Sequence, residues 1–409
     1  MTDNLKKWLV WAVMSGAFLV SMLQRNVAGV LQSTLMSDFQ MSAAGYGWLA
    51  SSYMYVFVIM QFLIGPLMDT KGVRKTSICG MFLACLGSII FALAGNTPLL
   101  YTGRIFTAVG FAGAYTACVK VNAVNFKPEQ FASVIGLTSF IGQIGGILSQ
   151  SPFAFMMARW GWRCIFIGIG TVSFMLALCM FKVLEPGTTE KINYSQKRNV
   201  FHSQILLNIV NILRVNGMKY IVITAACGQG VTTMITAAWG VPFLRDIYGI
   251  TLAAASSVMF YFLLGQMSGC LLVGMLSDKL RSRKNIFVAL NMLSLIFYIL
   301  IFVYQKIFSY AMMKVVFFIF GICSSSYIIR ITMGKELCGT EYSASSFSMG
   351  NVGTFSGAAL LTSVTGMILY SAQNVCKISA AYRLAFLPSA AAIALCFITS
   401  LFLPETFKK

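Results

Sequence analysis

The chain has 409 residues, of which 58% are apolar and only 10% are charged, and its formal net charge is +19. Soluble domains carry roughly a quarter charged residues, so this composition excludes an ordinary soluble protein and places most of the surface in lipid. Lys and Arg lie in short clusters between apolar runs, not on one basic face. That distribution argues against a nucleic-acid partner and is typical of membrane loops with a positive-inside bias.

The hydropathy pattern predicts an all-α membrane protein with twelve transmembrane helices. Each apolar run is long enough to cross about 30 Å of hydrocarbon as a helix, the form that satisfies its own backbone there. The first run is too long for a signal peptide. The predicted spans, in chain order, are 8–36, 43–68, 76–94, 98–124, 131–157, 162–184, 218–245, 252–276, 286–305, 309–335, 344–370 and 379–403.

A polar stretch over residues 185–217 divides these spans into two sets of six. It predicts an N-terminal six-helix bundle over 1–184, a cytoplasmic linker over 185–217 and a C-terminal six-helix bundle over 218–409. Cations concentrate in alternate connections, such as the one that holds Lys71 and Arg74, so both chain ends are predicted to be cytoplasmic.

Two connections at half-chain spacing resemble each other, and they indicate an internal duplication. Residues 65–75 read GPLMDTKGVRK and residues 274–284 read GMLSDKLRSRK. The Gly, Leu, Asp, Arg and Lys of the first recur in register in the second. Duplicated halves predict two bundles related by pseudo-two-fold symmetry, as in many secondary transporters.

The first of these connections resembles the signature loop of the major facilitator superfamily, G-x-L-x-D-x-x-G-x-R-[RK], at every defined position. Weaker resemblances to the same family are seen at Arg104 and Gly110 in span four, at the glycines of span five, and at Pro404-Glu405-Thr406, which ends the last span. The resemblance implies transport of a small solute by alternating access, with the signature loop as a cytoplasmic gate. The gating residues that it implies are Gly65, Asp69, Gly72, Arg74, Asp278 and Arg283. The other interpretation of Arg74 is a topogenic anchor.

Within the superfamily, residues 21–75 are most similar to the bacterial branch of sugar-phosphate-type permeases. This branch includes amino-acid transporters of intracellular bacteria and relatives of lysosomal dipeptide carriers. The similarity lies in Leu23-Gln24-Arg25-Asn26, in Leu35-Met36-Ser37-Asp38-Phe39 and in Gln61.

Five cations fall inside predicted spans: Arg25, Arg104, Lys120, Lys314 and Arg330. A charge at mid-membrane costs about 2.5–3.5 kcal/mol and usually marks a site or pathway. Lys120, Lys314 and Arg330 lie near predicted span ends, so they are expected to extend to the interface. Arg25 lies deep in the first span, and its planar guanidinium suits a carboxylate or phosphate.

Arg25 is therefore the predicted substrate anchor. The family resemblance places Arg104 near the same cavity, where its role stays open between substrate contact and packing. Neutral side chains that could complete a substrate site are Gln24, Gln61, Gln143, Gln229, Tyr261, Tyr327 and Asn351.

These residues predict a plasma-membrane transporter (inner membrane in a Gram-negative cell) for an anionic or zwitterionic solute: an amino acid, small peptide or organic acid. It is expected to act as a monomer without cofactor or metal, and not as an enzyme, since no catalytic motif is present. The alternatives are an organophosphate or phosphate exchanger, a drug or siderophore exporter of the same fold, and a transporter-like sensor. The centres of the spans hold no carboxylate or histidine, which favours exchange or facilitated diffusion over proton symport.

Overall fold

A computed structural model describes residues 3–184, 214–338 and 343–407, and in these ranges the regular structure is entirely helical. Ten of the helices in the described ranges are long and apolar enough to cross a membrane. Large apolar side chains, such as Phe155 and Met275, remain 67% and 70% exposed on the helix surfaces. Such surfaces suit contact with lipid. The predicted all-α membrane class is confirmed.

The chain forms two compact units, the first comprising Met1–Leu31 and Ser52–Gln196. Within it, α4 packs against α5 and α8, and α1 packs against α7. The helices of the first half of the chain are α1 (Asp3–Asn26), α2 (Ala28–Asp38), α3 (Ala43–Lys71), α4 (Val73–Ala92), α5 (Thr97–Phe111), α6 (Ala114–Asn125), α7 (Pro128–Leu148) and α8 (Ser151–Val183).

The second unit comprises Gln32–Ser51 and Lys197–Lys409. In it, α10 packs against α12, and α14 packs against both α9 and α15. The helices of the second half are α9 (Met218–Tyr248), α10 (Leu252–Lys279), α11 (Lys284–Tyr304), α12 (Tyr310–Ser324), α13 (Tyr327–Cys338), α14 (Ser343–Gln373) and α15 (Ile378–Leu401). The predicted linker lies outside the described residues up to position 213, so the predicted domain ranges stay a prediction.

The segment Gln32–Ser51 belongs to the second unit because it packs closely on α14 and α9. The Ser363 hydroxyl donates a hydrogen bond to the Ser51 hydroxyl over 2.8 Å. The rings of Tyr46 and Trp239 meet edge to face with 5.6 Å between centroids. The end of the first predicted span and the start of the second are therefore structural parts of the C-terminal half.

Two helix pairs in different halves share one pattern. In the first half, α5 has 15 residues and α6 has 12, and Ala112 and Gly113 separate them. In the second half, α12 has 15 residues and α13 has 12, and Ser325 and Ser326 separate them. The repeat seen in the loop sequences thus extends to the position of a helix break.

Predicted span five is interrupted in the structure, since α7 ends at Leu148 and α8 begins at Ser151. The predicted boundary between spans five and six coincides with a second break, which lies inside α8 (Ser151–Val183). This break is at Gly161, whose backbone has φ 74° and ψ 157°. A residue with a Cβ adopts that conformation only with strain, so glycine sets the break.

Close packing of α1 on α7 requires a glycine at one position of α7 and not at another. A Cβ built on Gly145 would lie 2.1 Å from the carbonyl oxygen of Leu19, whereas a Cβ on Gly136 meets nothing within 4 Å. Small residues allow this kind of backbone approach between membrane helices.

We therefore expect Gly145→Ala to lower the melting temperature of the detergent-solubilised protein, because α1 or α7 must move apart. Gly136→Ala, in the same helix, should leave the melting temperature unchanged or raise it slightly, since alanine is the better helix former. Differential scanning fluorimetry of both variants tests this. Equal melting temperatures for the two variants would contradict the packing described.

Candidate solute-binding and gating sites

The predicted substrate anchor Arg25 lies beside a break in the first apolar run. The helix α1 ends at Asn26 and α2 begins at Ala28, so Arg25 is in the last turn of α1 and is half-buried. Free carbonyl groups at a helix C-terminus stabilise a cation there. Sequence reasoning treated residues 8–36 as one helix and did not predict this break.

Arg104 is the centre of a buried polar cluster in the first unit. It is 4% exposed, and its Nη1 donates to the main-chain oxygen of Gln24 over 2.8 Å. Its guanidinium carbon lies 4.7 Å from the centroid of the Tyr53 ring. The Gln24 side-chain amide donates to the Ser88 hydroxyl over 3.1 Å. The family-based expectation for Arg104 as a core polar residue fits this geometry.

Within the described part of the chain, Oε1 of Gln24 has no hydrogen-bond partner, and the hydroxyl of Tyr53 has only the Ser21 hydroxyl near it, outside good hydrogen-bond geometry. Both side chains are fully buried. Buried polar groups are nearly always hydrogen-bonded, so such atoms indicate the place of a water molecule or a ligand. The cluster thus offers one acceptor and one hydroxyl near two guanidinium groups, those of Arg25 and Arg104.

A second polar cavity lies inside the second unit, between α9, α11, α13 and α15. Two of the predicted neutral site residues, Gln229 and Tyr327, line it. Its lining residues are Thr224, Gly228, Gln229, Thr232, Phe287, Asn291, Ser294, Phe320, Ser324, Ser326, Tyr327, Arg330 and Ile393. Gln229 closes the π-helical segment Ala225–Gln229 of α9, an irregularity that is frequent at functional sites.

The expectation that Arg330 extends to the membrane interface is wrong. Its side chain is 4% exposed and lines the second cavity, four residues after the break between α12 and α13. Sequence reasoning missed it because the predicted span ended at residue 335, whereas α13 continues to Cys338. Lys314 behaves differently, because it is half-buried and its Nζ lies 4.6 Å from the centroid of the Tyr310 ring.

The remaining predicted site residues are dispersed. Tyr261 is 36% exposed, and its ring centroid lies 5.7 Å from Nζ of Lys314. Gln61, Gln143 and Asn351 are half-buried on α3, α7 and α14. They are not among the lining residues of the polar cavity in the second unit, and their assignment as substrate ligands stays a prediction.

The signature loop follows the end of α3. Gly72 has φ 83°, which confirms the turn expected there. A Cβ built on Gly65 meets nothing within 4 Å in the described ranges, so no described neighbour requires a glycine at this position. The side chain of Asp69 lies outside the described part. Arg74 donates to the main-chain oxygen of Phe181, at the end of α8, over 2.8 Å.

The duplicated loop in the second unit forms a denser charged network around Arg283. Its Nη1 lies 2.7 Å from the Asp278 carboxylate and donates to the Ser277 hydroxyl over 3.0 Å, and its Nε lies 3.5 Å from Glu336. The predicted gating pair Asp278 and Arg283 is therefore in direct contact. This network links the ends of α10 and α13.

Glu405 holds the N-terminal end of α11 to the chain after α15. Its carboxylate accepts the main-chain N–H groups of Arg283 (2.9 Å) and Lys284 (3.2 Å) and the Ser282 hydroxyl (2.8 Å). A carboxylate at a helix N-terminus is favoured by the helix dipole. Partial burial by itself favours the neutral acid, but hydrogen bonds from Phe407, Arg283, Ser282 and Lys284 hold the pKa of Glu405 below its ordinary value.

The fold and these two polar sites define a helical membrane protein with buried cationic groups in both halves. The family model described as Major Facilitator Superfamily matches residues 13–362 and 221–409. The chain belongs to the Major Facilitator Superfamily, which agrees with the resemblance seen in the signature loop.

The chain is similar to curated and structurally solved transporters. "Uncharacterized transporter YybO" of Bacillus subtilis is 24% identical over 66% of this chain and 65% of its own length. The "Probable L-galactonate transporter" of Escherichia coli is 23% identical over 64% of this chain and 59% of its own length. A bacterial homologue of the human lysosomal transporter Spinster, solved facing inward, has a TM-score of 0.74 at 16% identity and covers 97% of this chain and 96% of its own. The matched segments thus span less than two thirds of both curated relatives.

The lowered pKa of Glu405 predicts a pH-dependent stability difference. Since the folded-state pKa is depressed, the ionised carboxylate stabilises the fold above its ordinary pKa of 4.5, and the contribution disappears as the pH falls through the folded-state value. We expect Glu405→Gln to melt at a lower temperature than the wild type at pH 7, with the difference shrinking below pH 4.5. Melting curves across this range test it. A difference that is constant with pH would contradict an ionic role.

Proposed function

We propose that the chain is a secondary transporter that moves a small anionic or zwitterionic solute by alternating access. An amino acid, a small peptide or an organic acid is the expected class. The observation that carries the proposal is the pair of guanidinium groups, Arg25 and Arg104, beside buried polar atoms of Gln24 and Tyr53. A guanidinium group binds a carboxylate through two parallel hydrogen bonds, which fixes both its position and its orientation.

The topology proposed for this function has twelve spans with both chain ends in the cytoplasm of a plasma or inner membrane. Ten helices of the described ranges are each long and apolar enough to cross a membrane alone. The pair α5 and α6 supplies an eleventh span, because only Ala112 and Gly113 separate them. The break at Gly161 divides α8, so α7 with the first part of α8 supplies the twelfth.

The choice of a carboxylate over a phosphate rests on how the two arginines are used. Arg104 already donates to a main-chain oxygen and stacks on a ring, whereas Arg25 lies half-buried at a helix end. One accessible guanidinium suits a monoanion better than a dianion. L-galactonate, the solute for which the similar Escherichia coli protein is named, is a carboxylate. The proximity of a second guanidinium keeps an organophosphate, as in the sugar-phosphate-permease branch, as the second candidate.

Gating is proposed for the two duplicated loops on the cytoplasmic side. Arg74 bonds to the end of α8, and Arg283 joins Asp278 and Glu336. These contacts at helix ends are charge-assisted and lie near solvent, so each is weak enough to break and re-form during a transport cycle. Gly65, Asp69 and Gly72 complete the proposed gate in the first loop.

Substitution of Arg25 tests the solute class. In proteoliposomes screened with labelled amino acids, dipeptides, organic acids and sugar phosphates, we expect Arg25→Ala to abolish saturable uptake of the accepted solute. Arg25→Lys should raise KM by about tenfold or more, because a point charge replaces a planar fork. Arg159→Ala removes an exposed arginine and is the matched control. Near-normal affinity in both Arg25 variants would remove Arg25 from the site.

Weak proton coupling is the second functional prediction. Among the described acidic side chains, Asp246 lies in the last turn of α9 and accepts a hydrogen bond from Tyr382 over 2.6 Å, away from the centre of the span. We expect an uncoupler to reduce initial uptake by less than about twofold, because no central carboxylate is available to carry a proton. Loss of a pre-formed solute gradient on collapse of the proton gradient would contradict this.

A further inference from the structure

The cavity of the second unit contains a buried positive charge that the described residues do not neutralise. Arg330 is 4% exposed. Over the described ranges, no carboxylate lies within 4 Å of its guanidinium group, and none of its side-chain nitrogens donates a hydrogen bond. Arginine keeps its proton in proteins, so this charge is not removed by deprotonation. A buried charge without a partner is strongly destabilising.

The other groups that line the cavity are neutral. The side-chain amide of Gln229 makes no hydrogen bond to any described residue and faces the same cavity. The hydroxyls of Thr224 and Thr232 donate to main-chain carbonyls of α9 instead. None of the lining residues is acidic. The cavity therefore holds a full positive charge and the side-chain amide donor of Gln229, with no acidic group among its lining residues.

Size limits what this cavity holds. The volume open to the centre of a water molecule is about 20 Å³, which is close to the space of one small ligand. The guanidinium group also fills the space beside Gly350 of α14, where an added Cβ would lie 2.6 Å from Nη1 of Arg330. A halide ion fits such a space, whereas a carboxylate attached to a carbon skeleton does not.

We propose that this cavity is a binding site for one small inorganic anion, such as chloride, held by Arg330 and Gln229. The bound ion neutralises Arg330 and accepts the hydrogen bonds of both side chains. It joins α9 to α13 near two irregular places, the π-helical segment Ala225–Gln229 and the break after α12. This site is separate from the cluster of Arg25 and Arg104 and does not depend on the identity of the transported solute.

Chloride-dependent thermal stability tests the proposal. For the purified protein in detergent, exchange of gluconate for chloride at equal ionic strength should raise the melting temperature by about 2–4 °C, since a ligand of the folded state stabilises it by mass action. Acetate should behave like gluconate. Arg330→Gln should abolish the chloride response, and Lys314→Gln, which removes a half-buried cation of α12 outside this cavity, should retain it.

A second variant keeps the test decisive if Arg330→Gln does not fold. Gln229→Glu places a carboxylate in the same cavity as an internal counter-charge, so it should raise the melting temperature in gluconate and lose the response to chloride. A wild type that melts alike in chloride and gluconate would overturn the proposal. So would a chloride response that survives both substitutions, or stabilisation by acetate equal to that by chloride.

Discussion

The hydrocarbon interior of a membrane offers no hydrogen-bond partner, and this constraint decides where the chain can place charge and irregular backbone. A guanidinium group inside a helical bundle must find its partners in the protein or in a ligand. Arg104 finds them in the Gln24 carbonyl and the Tyr53 ring. Arg330 finds no such partners among the described residues. The two buried arginines therefore differ in their contacts, because Arg104 bonds to described residues and Arg330 does not.

The helix breaks follow from the same constraint. Non-helical backbone at membrane depth is tolerated where protein surrounds it or where it lines a cavity. The break after α1 lies next to Arg25, and the break after α12 lies four residues before Arg330. The π-helical segment of α9 ends at Gln229. These three irregular segments each lie next to a polar side chain of one of the two polar sites.

Much of the fold could be predicted from the sequence, and part of the site could not. The apolar runs predict the helices because hydropathy and length are local properties, and Gly72 predicts a turn because its loop pattern requires one. The depth of Arg330 was mispredicted. The span was expected to end at residue 335, whereas α13 continues to Cys338, so Arg330 lies further from the helix end than expected. Gly65 stays a predicted gating residue, since a glycine allows a close helix approach without requiring one.

The two halves share one helix break, but not the charges beside it. Arg104 is the eighth residue of α5, and the eighth residue of α12 is the buried Phe317. Arg330 is the fourth residue of α13, and the fourth residue of α6 is the buried Ala117. Each half keeps one buried arginine in the same helix pair, but on opposite sides of the break. The duplicated scaffold therefore keeps this break in both halves, while the buried arginine beside it lies at a different position in each and belongs to a different polar site.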